Sequence, residues 1–153
     1  MEVGMVIASC DVKIRSEIHV NARISSMEII QYDMRKLPFI EREQIFRYCG
    51  LFKISCGHVH GFAEFELPEG SHPTDLVQWA SVFRALKGMH MSQVMQYIKQ
   101  HQTLWGHERM LFLHEAVNHL LLNLEQASTS DDRLSQEEIR TFLMQYALTY
   151  YSF

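Results

Sequence analysis

Two histidines and two glutamates recur at even spacing in the run GLFKISCGHVHGFAEFELP, Gly50 to Pro68: His58, His60, Glu64 and Glu66. Alternate residues of a strand share a face, so these four would project together. Two imidazoles with a carboxylate are a donor set that suits zinc or a similar ion. An i, i+2 histidine pair is a weak signature by itself, and a solvated strand face near a turn accounts for it equally. His58 and His60 are therefore weak metal candidates, and no metal or other cofactor is assigned.

A second arrangement is His114-Glu115-x-x-x-His119. A zinc-protease helix needs histidines four apart, so that both reach the ion from one face. Five residues at 3.6 per turn put these two about 140° apart, and the motif is rejected. One histidine is expected to face solvent and the other to lie at a core edge. Cys49 or Cys56 beside a histidine could form a nucleophile, but a thiolate needs a positive neighbour and access. Cys56 shares an apolar strand face with Phe52 and Ile54, which reads as a buried thiol. Asp131-Asp132 followed by Ser135 to Glu138 lacks the central glycine and alternating oxygens of a calcium loop and reads as a polar linker with a capping box. The nine methionines read as filler of a helical core. No catalytic residue is assigned.

The elements that must position these residues begin with the hairpin. Phe52, Ile54 and Cys56 alternate with Lys53 and Ser55, then Val59, Gly61, Ala63, Phe65 and Leu67 alternate with His58, His60, Phe62, Glu64 and Glu66. That period of two predicts two half-buried strands about a Gly57 turn, and Pro68 ends the ladder because it has no N–H to donate. The apolar face must rest on something, and the helices downstream are the expected cover.

Before the hairpin, residues 1–26 alternate weakly at Val12, Ile14, Ile18, Val20 and Ile24, an extension with room for one or two strands. MEIIQYDM, from Met27, is a cleaner strand, broken at Leu37-Pro38-Phe39. Ile40 to Cys49 allows a short helix or the start of a long second strand; a mobile loop passing into strand is preferred. After Pro68, Thr74 can cap a helix, with Asp75 in its first turn and Gly88 closing it. A second helix is predicted from Ser92 to near Gln102. A third runs from His107 to Gln126, apolar at Leu111, Phe112, Ala116, Val117, Leu120, Leu121 and Leu124. Ser135 and Glu138 form a capping box for a last helix over 135–151. The prediction is one α+β domain over 27–153: a three-stranded antiparallel meander over 27–68, with room for an extra N-terminal strand, followed by a bundle of three to four helices over 74–126 and 135–151.

Composition narrows the classes of partner. The chain has 153 residues, a net charge of −4 and scattered Lys and Arg, so no basic patch offers itself to nucleic acid. An odd count of three cysteines without CxxC spacing points to reduced thiols and a cytoplasmic protein. Ile7-Ala8-Ser9-Cys10 imitates a lipoprotein box, but the apolar run before it is short and Glu2 stands where positive charge belongs. Met110 to Leu124 is too short and too polar to span a bilayer.

The hairpin carries a resemblance. Gly57-x-x-x-Gly61-Phe62-Ala63-Glu64 resembles the G-x-x-G-W-G-E hairpin in the N-terminal capping domain of the enolase superfamily. MEIIQYDM resembles that domain's first strand, and Leu37-Pro38-Phe39 the pair that follows it. Phe65 to Pro68 resembles the hairpin exit in o-succinylbenzoate synthase-like members, and Leu86-Lys87-Gly88 the end of the first helix. The likeness covers about Met27 to Gln126. It implies a domain that sits over a (β/α)-barrel and encloses substrate with loops. Phe39, Glu41 and Arg42, from the loop Lys36 to Glu43, and His60 and Phe62, from the hairpin, are the substrate-loop candidates that it implies. Phe62 stands where the family often has tryptophan, and Ala63 replaces a glycine. The family's catalytic lysines and metal carboxylates lie on a barrel of about 200 residues or more, so this chain would not carry that chemistry by itself.

Two functions follow as expectations. The first is a stand-alone, non-catalytic binding or interaction module with a protein partner or a second copy of itself, and with neither nucleic acid nor membrane. The second is the lid of an enolase-type enzyme, of the o-succinylbenzoate synthase or racemase type, that abstracts a proton next to a carboxylate with a barrel supplied in trans.

Overall fold

The structure, a computed structural model, describes residues 22–33, 47–68, 76–126 and 132–153. It is α+β. Strands β1 (Ser26–Asp33), β2 (Arg47–Cys56) and β3 (Val59–Pro68) form an antiparallel meander. Helix α1 (Leu76–Ala80) tightens into a 3-10 segment, Ser81–Leu86; α2 (Met91–Trp105), α3 (His107–Glu125) and α4 (Asp132–Met144) follow, and β4 (Ala147–Ser152) ends the order. The sheet order is β3-β2-β1-β4.

The β2–β3 hairpin turns where the period of two predicts, with Cys56 opposite Val59. Gly57 adopts φ 59° there, with no atom of the described residues within 4 Å of where a Cβ would stand. It serves the turn through its backbone freedom alone.

One face of the sheet carries the main core. Phe52 is fully buried at its centre, with its ring 5.5 Å from Phe83 and 5.4 Å from Phe112. Phe65 stacks on Phe112 at 4.9 Å. A phenylalanine so enclosed stabilises a fold by about 1.5–3 kcal/mol. Helix α3 crosses this face over Gly61, presenting Leu113, Ala116, Val117, Leu120 and Leu124 to it. Leu111, expected on that stripe, is 58% exposed, and Leu113 is buried in its place. The stripe that meets the sheet runs 113, 116, 117, 120 and 124, a helical spacing that turns position 111 outward.

The second face is also covered. Ile30, Tyr32, Cys49 and Leu51 are buried together with Leu143 of α4. Arg140 of the same helix grips Glu28 of β1 through Nε to Oε2 at 2.6 Å and Nη2 to Oε1 at 2.8 Å, and the Tyr150 hydroxyl donates to Glu28 Oε1 at 2.9 Å. Burial pushes the Glu28 carboxyl up. The hydrogen bonds from Arg140 and Tyr150 and the charges of Arg140 and Lys53 outweigh it, so the group lies below its ordinary value. Cover on both faces explains why Ile29, Ile30, Gln31 and Tyr32 are buried in succession, without the alternation of a half-buried strand.

The C-terminal expectation is corrected. A helix over 135–151 does not form: α4 stops at Met144, Gln145 N–H and Tyr146 N–H donate to Phe142 and Leu143 carbonyls, and the chain turns into β4. Thr149, Tyr150 and Tyr151 are residue types that fit a pleated surface, and the open edge of β1 supplies their partners, with Ile29 opposite Tyr151 and Gln31 opposite Thr149. The sheet therefore gains its fourth strand from the C-terminal side, with a register shift between Gln31 and Tyr32. Residues 1–21, which hold most of the predicted N-terminal extension, lie outside the described residues, as do Thr74 and Asp75. Ile24 belongs to the main core, its N–H on the Met89 carbonyl at 3.0 Å. Helix α2 runs three residues past Gln102 to Trp105, closed by Gly106 at φ 85°.

Candidate functional site

The site is built where α3 meets the outer edge of β3. A Cβ on Gly61 would lie 2.2 Å from the Ala116 carbonyl oxygen and 2.5 Å from the Leu120 nitrogen, so only glycine lets the helix backbone approach this closely. That approach brings two polar side chains of α3 to the strand. Phe62 N–H donates to His119 Nδ1 at 3.0 Å, and Asn123 Nδ2 donates to the His60 carbonyl at 2.7 Å. An exposed strand edge presents unpaired N–H and C=O groups; here the helix satisfies one of each. Because Nδ1 accepts, the proton of the neutral His119 ring sits on Nε2.

Beside this junction lies a cleft of about 300 Å³, lined by Leu51, Phe62, Glu64, Glu115, His119 and Ile139. Its residues come from β2, β3, α3 and α4, so the cleft exists only because α4 lies across the second face. Leu51 is buried and Ile139 is 49% exposed, while Glu64 and Glu115 stand exposed at the rim. The Phe62 ring is 6.2 Å from the His119 ring, and the Lys53 ammonium lies 5.7 Å from the Phe62 centroid. Tyr32, on the same face of the sheet, is pushed far above its ordinary value by burial first and then by Glu64, Cys49 and Glu66.

The sequence-predicted residues are placed unevenly. Phe39, Glu41 and Arg42 lie outside the described residues. Phe62 lines the cleft. His60 engages the Ser55 hydroxyl through Nδ1 at 2.8 Å. His58 stands exposed in the turn. Among the described residues, no group of three or more His, Cys, Asp or Glu side chains is arranged to hold a metal ion. Ser55 is 2% exposed, which keeps its hydroxyl from any substrate. Cys56 is buried too, its thiol raised by that burial to about 11. No helix of the described residues is long and apolar enough to cross a membrane.

Glu115 and His119 were visible in sequence as a failed zinc motif, since they do not converge with His114. What joins them to Phe62 and Glu64 is the Gly61 crossing. The available signal was the spacing of His119 and Asn123, four apart on one helix face. Compared with protein-family models, curated proteins and solved structures, the chain matches none of them.

Proposed function

We propose that the chain is a non-catalytic binding module whose ligand site is the cleft between α4, α3 and the second face of the sheet. The observation that carries this reading is the cleft's composition. Leu51, Phe62 and Ile139 give an apolar floor, and Glu64, Glu115 and His119 give a small set of polar groups at its margin. Ligand sites pair a mostly apolar lining with a few placed polar groups in this way, and their volumes begin at about 300 Å³. The Ser55 hydroxyl and the Cys56 thiol, both buried, are not among the groups that line it. The likeness to the enolase capping domain rests on the hairpin residues, and the β1–β3 meander followed by helices is the order it implies.

The test is titration of the full chain with phenethyl alcohol, a neutral probe with one ring, followed through backbone amide resonances. Shifts concentrated at Leu51, Phe62, Glu64, Glu115 and His119 are the expected result. Shifts scattered over the surface, or none at millimolar probe, would remove the reading.

A second reading, self-association, is favoured by the position of β4 at the sheet edge, with Leu148 and Tyr150 at 50% and 40% exposure. Sedimentation at rising concentration decides it: a single monomeric species throughout would end it.

A further inference from the structure

We propose that the cleft takes a small organic cation, a primary amine on an apolar body of one ring. The body lies on Phe62, Leu51 and Ile139, and the ammonium is held by Glu64 and Glu115. This inference rests on the binding reading above and specifies its ligand.

Charge complementarity argues for it. Among the described residues, the cleft's lining holds two carboxylates and no lysine or arginine, and Glu66 stands exposed two positions from Glu64 on the same face of β3. The Phe62 ring already accepts a cation, since the Lys53 ammonium lies 5.7 Å from its centroid, and an aromatic face attracts such charge. Lys53 pairs across the sheet with Glu28 and Phe62. Its charge repels a second cation from that side and directs the ligand's positive end toward Glu64 and Glu115.

Size and donor inventory narrow the class further. A space of about 300 Å³ is at the small end of ligand sites, which suits one ring and a short arm and excludes a nucleotide. An anionic ligand would meet the two carboxylates of the lining.

The experiment compares three probes of one shape on the full chain: phenethylamine, phenethyl alcohol and hydrocinnamate. The amine is expected to bind about five- to tenfold more tightly than the alcohol, the gain that two partly exposed ion pairs supply. The double variant Glu64→Gln, Glu115→Gln, both at exposed positions, is expected to fold as the parent does by circular dichroism and to erase that preference. Equal binding of amine and alcohol, or tightest binding of hydrocinnamate, overturns the cation while the cleft remains a binding site. A preference that survives the double variant overturns the role of the two carboxylates. Absence of cleft shifts with every probe overturns the binding reading itself.

Discussion

Substituting Gly61 by alanine tests the junction on which the cleft depends. The new Cβ would stand 2.2 Å from the Ala116 carbonyl oxygen, 2.5 Å from the Leu120 nitrogen and 2.7 Å from the Leu120 Cβ. Real Cβ contacts essentially never fall under 3.0 Å, and two of these obstacles are helix backbone, which no rotamer change relieves. Helix α3 must therefore retreat from β3 as a body. Overpacking of this kind costs about 1–3 kcal/mol. The retreat also stretches the bonds from Phe62 N–H to His119 and from Asn123 to the His60 carbonyl, at about 1 kcal/mol each. The expected loss is about 3–5 kcal/mol, a large share of the stability of a small domain. Urea denaturation followed by circular dichroism measures it. Gly57→Ala is the control: its φ of 59° strains an alanine but no atom of the described residues lies within 4 Å, so about 1–2 kcal/mol is expected. A Gly61→Ala protein within about 0.5 kcal/mol of the parent, or less affected than Gly57→Ala, would refute the close crossing and the cleft geometry built on it.

Two further outcomes follow from the second face and from β4. Glu28 lies below its ordinary carboxyl value in the folded state, so its contribution is fully present above the unfolded value and is lost as pH falls through the lower, folded one. The stability of the parent should therefore decline more steeply below pH 4.5, the ordinary value, than that of Glu28→Gln. That variant should be about 1–2 kcal/mol less stable at neutral pH, and identical pH profiles would contradict the clamp. The Tyr151 hydroxyl is buried with no hydrogen-bond partner among the described residues, and removing an unsatisfied group recovers its desolvation cost. Tyr151→Phe should match or exceed the parent in thermal stability, and a clear loss would show that the hydroxyl is satisfied.

Much of the frame was legible because it depends on local pattern. Alternation gave the β2–β3 hairpin, Gly57 its turn, and helical spacing the bounds of α3 to within a residue. The order of strands then helices gave the α+β class. The C-terminal strand was not legible. Its capping residues and the apolar spacing before it suit a helix, and only the free edge of β1, a partner far away in sequence, makes a strand of Thr149 to Ser152. The cleft was hidden for a related reason. Phe62 is visible on a strand, Glu115 and His119 on a helix, and Ile139 on another helix. Nothing local says that α3 crosses at Gly61 or that α4 lies on the second face. The substrate-loop candidates Phe39, Glu41 and Arg42 drew on resemblance alone, and they fall outside the described residues.

The pairing of β1 with β4 sets a problem of timing. Tyr150 and Glu28 are 122 positions apart, whereas the β2–β3 hairpin closes over a two-residue turn. The entropy of closing a loop must be met before a distant pair yields any return, so β4 is the natural last strand to dock. Until then, the edge of β1 is a slot that the β4 of any copy fits equally well. What favours the chain's own strand is tethering. Helix α4 is fixed by the Arg140–Glu28 grip, and two residues, Gln145 and Tyr146, separate it from β4. Such a short tether holds the strand at a local concentration of the order of millimolar or above, beyond what free copies reach in dilute solution. The ion pair on the second face thus also acts as a guard against strand exchange, deciding whose β4 completes the sheet.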